Sequence, residues 1–173
     1  MAKNLVKQEG AFTKESRSII NNNHSDVSLC TTQFDAVTGT TGTTLTNVVG
    51  MVTDSLGAGT YKFRVTIPCV ATANTGIKFA LKWGTASMIT SAEYEAKAFT
   101  ASGVVVTRGT TATDATLLLD SAAGVVILAE ITGVFVVAIA GTLQLQAAQH
   151  TAHADTVSVY VNAQMQFEKI ATN

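Results

Sequence analysis

Residues 124–141 read GVVILAEITGVFVVAIAG, residues 142–149 TLQLQAAQ and residues 156–167 TVSVYVNAQMQF. Side chains alternate across a strand, and these segments read as three consecutive strands, the first apolar on both faces. Val125, Ile127, Ala129, Ile131, Phe135, Val137 and Ile139 share one side. Val126, Leu128, Val134, Val136 and Ala138 share the other, broken by Glu130 and Thr132. One apolar face serves a domain core. The second needs cover from another layer or another subunit, and neighbouring copies of the chain are the expected cover. Alternation alone leaves open which face is which. Glu130, a carboxylate on the second face, requires a partner that the sequence does not name.

Working outward, Leu143, Leu145 and Ala147 alternate with Gln144, Gln146 and Ala148, and the loop 150–155 reverses the chain. The last strand sets Val157, Val159, Val161, Ala163, Met165 and Phe167 on one side. Upstream, Tyr61, Phe63, Val65 and Ile67 alternate strictly, and Pro68, which lacks an N–H for a ladder, is expected to end that strand. Asn74-Thr75-Gly76 turns the chain into a second half-buried strand with Ile77, Phe79, Leu81 and Trp83 inward. Residues 88–100 have a helix-like composition, but every neighbour is a strand, which decides for a strand here too. Further short strands are expected at 27–32, 45–52, 104–108 and 116–119, with turns at the Gly/Thr-rich 38–46 and at Gly109-Thr110-Thr111. Roughly eight to ten strands at this spacing mean an all-β sandwich or barrel.

Hydrophobic residues make up 47% of the 173 and charged residues 13%, about half the usual charged share. Such a chain must hide much apolar surface, and an oligomer interface is a natural place for it. The net charge of −1 gives no global argument for nucleic acid or an anionic membrane. The apolar run at 124–140 is shorter than the roughly 18 residues that cross a bilayer as a helix. No apolar stretch of the signal-peptide kind opens the chain, so the expectation is a protein made and kept in a cytosol. Cys30 and Cys69 are accordingly expected as reduced thiols.

Residues 1–28 differ from the rest. They hold Lys3, Lys7, Lys14 and Arg17, four of the eleven basic residues, and their apolar residues come in isolated pairs such as Ala11-Phe12. This composition fits an arm lying on another surface, and equally a terminus without a role. The division expected is an arm over 1–28 and one β domain over 29–173.

The chemistry-bearing residues are sparse. No nucleophile elbow, phosphate-cradling loop or CxxC occurs, and no catalytic residue or cofactor is expected. His150, His153 and Asp155 form the one metal-like cluster, since His-x-x-His with a carboxylate can ligate zinc. A small polar loop that happens to hold two histidines is the simpler reading. Glu93 and Glu95 share one face of a strand, as a solvated pair or an acid/base pair. Lys62, Arg64, Lys78 and Lys82 could form a basic stripe if their strands were adjacent. Alternation points Trp83, Tyr61 and Phe63 inward, which leaves a sugar-binding platform without support.

The order of motifs carries a resemblance. It runs from a Gly-Thr-Tyr-x-Phe strand (Gly59–Phe63) to Gly-Ile-Lys-Phe-Ala-Leu (Gly76–Leu81) and then the long apolar strand to Gly141. Leu143-x-Leu145-x-x-Ala148-Gln149, a polar loop and a closing strand into Phe167-Glu168-Lys169-Ile170 complete it. Over roughly Phe34 to Ile170 this resembles the structural proteins of tailed bacteriophages that carry a jelly roll like that of tumour necrosis factor and the complement-type globular head. The resemblance implies an all-β jelly-roll sandwich assembled as a homotrimer, with the apolar faces of long strands around a three-fold axis. Val126, Leu128, Val134, Val136, Leu143, Leu145 and Tyr160 are then the expected interface residues. It further implies a virion structural protein, assembled in the host cytoplasm, that decorates and cements a phage head. The arm, through Lys3, Lys7, Phe12, Lys14 and Arg17, would hold the major capsid protein. Two other roles remain: a receptor- or glycan-binding tail or fibre module, and a small metal-dependent β-barrel enzyme built on the His150 loop.

Overall fold

A computed structural model describes residues 29–33, 38–85, 87–112, 117–121 and 125–172. Twelve strands appear there and no helix: β1 (Leu29–Gln33), β2 (Thr38–Thr40), β3 (Thr46–Val52), β4 (Gly59–Ala71), β5 (Ile77–Trp83), β6 (Ile89–Thr100), β7 (Gly103–Ala112), β8 (Leu117–Ser121), β9 (Val126–Val137), β10 (Leu143–Ala148), β11 (Val157–Val159) and β12 (Gln164–Ala171). All pairings are antiparallel. A large sheet runs β1-β12-β4-β9-β6-β7, with β11 and β2 continuing from β4, and a small sheet runs β3-β10-β5-β8.

Successive strands alternate between the two sheets: β3 lies in the small one, β4 in the large, β5 in the small. The same alternation resumes through β8, β9, β10 and β12. The fold is therefore a jelly-roll β-sandwich, as the sequence led one to expect. One hairpin breaks the alternation. Strands β6 and β7 are inserted between β5 and β8, and both add to the large sheet beyond β9.

The core between the sheets follows from the alternation. Tyr61, Phe63, Val65 and Ile67 of β4, Ile77, Phe79, Leu81 and Trp83 of β5, and Met165 and Phe167 of β12 are all buried. Phe135 sits at the middle, with ring centroids 5.3 Å from Phe63, 5.7 Å from Tyr61, 5.9 Å from Phe167 and 6.5 Å from Trp83. Rings at these separations add to the energy of their burial. Strand β6 is confirmed as a strand. Its imperfect alternation has a cause: the register against β9 shifts between Ile89 and Ser91, while Ile89, Ala92, Ala96 and Ala98 all reach the core.

Four expectations need correction. Pro68 does not end β4, which continues to Ala71. The missing N–H is tolerated because the β4–β9 ladder is irregular between Pro68 and Ala71, and the Pro68 carbonyl still accepts from Tyr160 N–H at 2.9 Å. Gly109-Thr110-Thr111 is no turn but the continuation of β7, with Gly109 opposite Tyr94. A Cβ there would lie 2.6 Å from the Tyr94 ring, so this glycine serves a side-chain crossing. The closing strand is two strands, broken at Tyr160–Ala163 where Asn162 takes φ 68°, a conformation asparagine tolerates better than most residues. Val161 consequently turns out to solvent.

The fourth correction concerns β9. Residues Ile127 and Leu128 form a bulge against β6, where Phe99 and Thr100 face Leu128 and Val126. A bulge reverses the side on which following residues point. Val126 is wholly buried, while Val125 and Ile127 are exposed. Beyond the bulge Ala129, Ile131, Phe135 and Val137 form the core face, and Leu128, Glu130, Thr132, Val134 and Val136 the outer face.

Candidate functional site

The described strands make two layers, so among the described residues the outer face of the large sheet has no layer above it. Register places its side chains in rows. Gln166, Arg64, Thr132, Glu95 and Arg108 form one row across β12, β4, β9, β6 and β7. Gln164, Thr66, Glu130, Lys97 and Val106 form the next, and Glu168, Lys62, Val134 and Glu93 lie on the other side of the first. At the far end stand Pro68, Leu128, Phe99 and Val104.

Charges in the middle rows pair within the chain. The Arg64 guanidinium reaches Glu130, with Nε 3.2 Å from Oε1 and Nη2 3.4 Å from Oε2. Glu130 is the diagonal cross-strand neighbour of Arg64 rather than its direct partner, a separation long side chains span. This answers the anomaly of a carboxylate on an apolar strand. Glu95 holds Lys97 at 2.6 Å on its own strand and Arg108 at 2.7 Å across the hairpin. The Lys97 and Arg108 hydrogen bonds hold its carboxyl below the usual value of 4.5. Between and beside these pairs, Val134, Val104 and Val106 are 39%, 52% and 46% exposed. With half-buried Leu128, Val136 and Phe99 they make an apolar surface interleaved with neutralised charge. Two shallow grooves cross this face, about 220 Å³ beside Lys62, Arg64, Gln166 and Glu168, and about 270 Å³ between Glu93, Val134 and Val136.

The expected interface residues divide. Leu128, Val134 and Val136 stand on this outer face, and Tyr160 is 41% exposed at the β11–β12 break. Val126, Leu143 and Leu145 are fully buried in the chain's own core. The β9 bulge turned Val126 inward, and β10 belongs to the small sheet, where its leucines point at the large one. They present nothing to a partner. Alternation missed Arg64, Lys97, Val104, Val106 and Arg108 as neighbours of the apolar residues, because only strand order brings β4, β6 and β7 beside β9. The arm residues Lys3, Lys7, Phe12, Lys14 and Arg17 lie outside the described residues.

The histidine loop is a built structural turn. Gln149, fully buried, donates from Nε2 to the His153 carbonyl at 3.1 Å and to the Asp155 carbonyl, and its Oε1 accepts from His153 N–H at 3.1 Å. The Thr72 hydroxyl donates to Asp155 Oδ2 at 2.8 Å. His153 Nδ1 accepts the Asp155 N–H at 3.1 Å and lies 3.2 Å from Asp155 Oδ2. The first contact requires the nitrogen unprotonated and the second is an ion pair only when it is protonated. Among the described residues no three His, Cys, Asp or Glu side chains group in a way that could hold a metal.

Lys62 and Arg64 do not join Lys78 and Lys82 in one stripe, for β4 and β5 lie in different sheets and their polar sides face opposite ways. Cys69 is a free, buried thiol whose pKa burial pushes up to about 12. The ring nitrogen of Trp83 is buried inside the sandwich without a hydrogen-bond partner, and this tryptophan offers no sugar-stacking surface.

No family model matches the chain, and no curated protein matches it. Among solved structures it is similar to Eiger, a TNF from S. frugiperda, at 9% identity and a TM-score of 0.39, covering 86% of this chain and 95% of that one. It is similar also to carbohydrate-binding modules from the beta-sandwich superfamily, at 8% identity and a TM-score of 0.23, covering 86% of this chain and 57% of that one. The jelly-roll assignment rests on the strand order itself.

Proposed function

We propose that the chain is a structural assembly module: a homotrimer joined through the outer face of the large sheet, which decorates and cements a phage capsid. One observation carries the assembly reading. Among the described residues Leu128, Val134, Val136, Val104 and Val106 stand without cover, on a face whose charges Glu130 and Glu95 already have partners within the chain. The middle rows of such a face meet another protein surface without stranding an unpaired charge. Residues 1–28 act in this reading as the clamp on the major capsid protein. The virion role comes from the resemblance of the sequence motifs, and the face supports it by supplying a means of self-assembly.

Light scattering on the whole chain tests the assembly, with a mass that is a multiple of three subunits expected. Val134→Asp and Val136→Asp should each abolish the three-fold contact while the chain stays folded, because a carboxylate buried at the interface costs about 3–5 kcal/mol. An unchanged mass in both variants removes this face from the assembly. Electron microscopy of phage heads mixed with the protein tests the role. Deleting residues 1–28 should leave the trimer intact and abolish head binding, whereas heads decorated equally well by the shortened chain overturn the clamp.

A further inference from the structure

The free edges of the two sheets are unlike one another. Strand β1 at one end of the large sheet has 5 residues, as does β8 at one end of the small sheet. Strand β3, at the other end, has its ladder with β10 broken between Gln144 and Gln146, and Gly50 sits at φ 83° within it. Short or bulged edges resist pairing with other chains. Strand β7 has neither protection. It is 10 residues long, lacks proline and lysine, and pairs with β6 through ten consecutive partners without a register shift. Among the described residues it ends the strand order of the large sheet.

Its hydrogen-bonding sides follow from the hairpin loop. Thr100 and Gly103 pair across the two residues Ala101 and Ser102, and residues that close a two-residue loop exchange both backbone bonds. Odd-numbered residues of β7 therefore bond to β6. Val104, Val106, Arg108 and Thr110 aim their N–H and C=O groups at the open edge.

We infer that the β7 edge pairs with the β7 edge of a second copy, antiparallel about a two-fold axis, joining two large sheets into one. Charge and register favour a second copy as the occupant. The outer faces stay on one side only if even residues oppose even residues. Of the registers that allow this, one sets Arg108 against Arg108 of the second copy and is repelled. The next sets Val106 against Arg108 and Thr107 against its own equivalent, using the open-edge groups of Val104, Val106, Arg108 and Thr110 in both strands. The only charge on β7, Arg108, is paired with Glu95 of its own chain, and in this register it faces Val106 of the second copy rather than a second arginine. The contact uses backbone groups and is independent of the capsid reading.

Disulfide trapping tests the register in a Cys30→Ser chain, where Cys69 is buried and its thiol protonated. In a non-hydrogen-bonded pair the Cα atoms are about 4.5 Å apart, within disulfide reach. Thr107→Cys should oxidise to a covalent dimer, and Arg108→Cys, displaced along the strand from its equivalent, should not. Val106→Pro removes an edge N–H without touching the β6 ladder, and should lower the mass of the assembly roughly twofold. Equal trapping at both positions, or a folded Val106→Pro chain of unchanged mass, overturns the proposal. Exchange protection of the Val104, Val106 and Arg108 amides that does not vary with protein concentration overturns it too, since the occupant is then not a second copy. Repeating the trapping with Val134→Asp keeps the two contacts apart: a dimer should still form when the trimer is lost.

Discussion

Gly133 sits in β9 at the crossing of β4 and β6, where a Cβ would lie 2.8 Å from the Phe63 ring and 2.9 Å from Tyr94 Cα, and closer still to the Glu93 carbonyl. Two of those three obstacles are backbone and cannot swing aside. Gly133→Ala should therefore destabilise the fold by about 3 kcal/mol, read from urea unfolding, and a smaller change than 1 kcal/mol would mean that the two strands separate freely. Glu95 shows a different dependence. Its folded pKa lies below the ordinary 4.5 because Lys97 and Arg108 favour the carboxylate. The stability it supplies is thus fully present above pH 4.5 and is lost as pH falls through the lower folded value. Glu95→Gln should flatten the acid side of a stability–pH profile while changing its neutral plateau only slightly, since the pair is exposed. An acid limb of unchanged slope would sink that assignment.

At the scale of elements, Gln149 joins the loop before β11 to the rest of the sandwich. Its amide satisfies His153 N–H and the carbonyls of His153 and Asp155. Gln149→Ala removes those part-buried bonds, which costs about 1–2 kcal/mol and should speed amide exchange over 150–155 before the sheets open. Protection unchanged across that loop would assign its order to the Thr72–Asp155 bond instead. Much of each strand was legible: period two placed the inward residues of β4 and β5, while β6 was assigned as a strand from its neighbours alone. What alternation could not show was where the period slips. The β9 bulge at Ile127–Leu128 comes from a mismatch with β6, and no residue type there announces it. Pro68 and Gly109 misled for the same reason, each being tolerated by a neighbour that only the register supplies. Glu130 found Arg64 two residues off the direct pairing, a relation no single strand contains.

At the scale of the molecule, the jelly roll followed from counting strands and matching motif order, whereas the inserted hairpin did not, because sheet membership is not encoded in local pattern. That insertion enlarges the outer face by Val104, Val106, Lys97 and Arg108. The mass loss expected for Val134→Asp belongs here: it should occur with the strand content of the chain intact, for Val134 is 39% exposed and touches the core little. A three-fold contact through the face and a two-fold contact along the β7 edge employ different atoms, so both can operate in one particle.

The pairing of β1 with β12, which joins Leu29 to Glu168, also constrains how the chain is made on the ribosome. Strand β4 has both neighbours, β9 and β12, far downstream, so the large sheet stays open until β12 has emerged. The β6–β7 hairpin, closed by two residues, is the one long ladder that forms early. A nascent chain would carry that bare edge while waiting for β9, and crowded neighbours on one messenger would meet first through it.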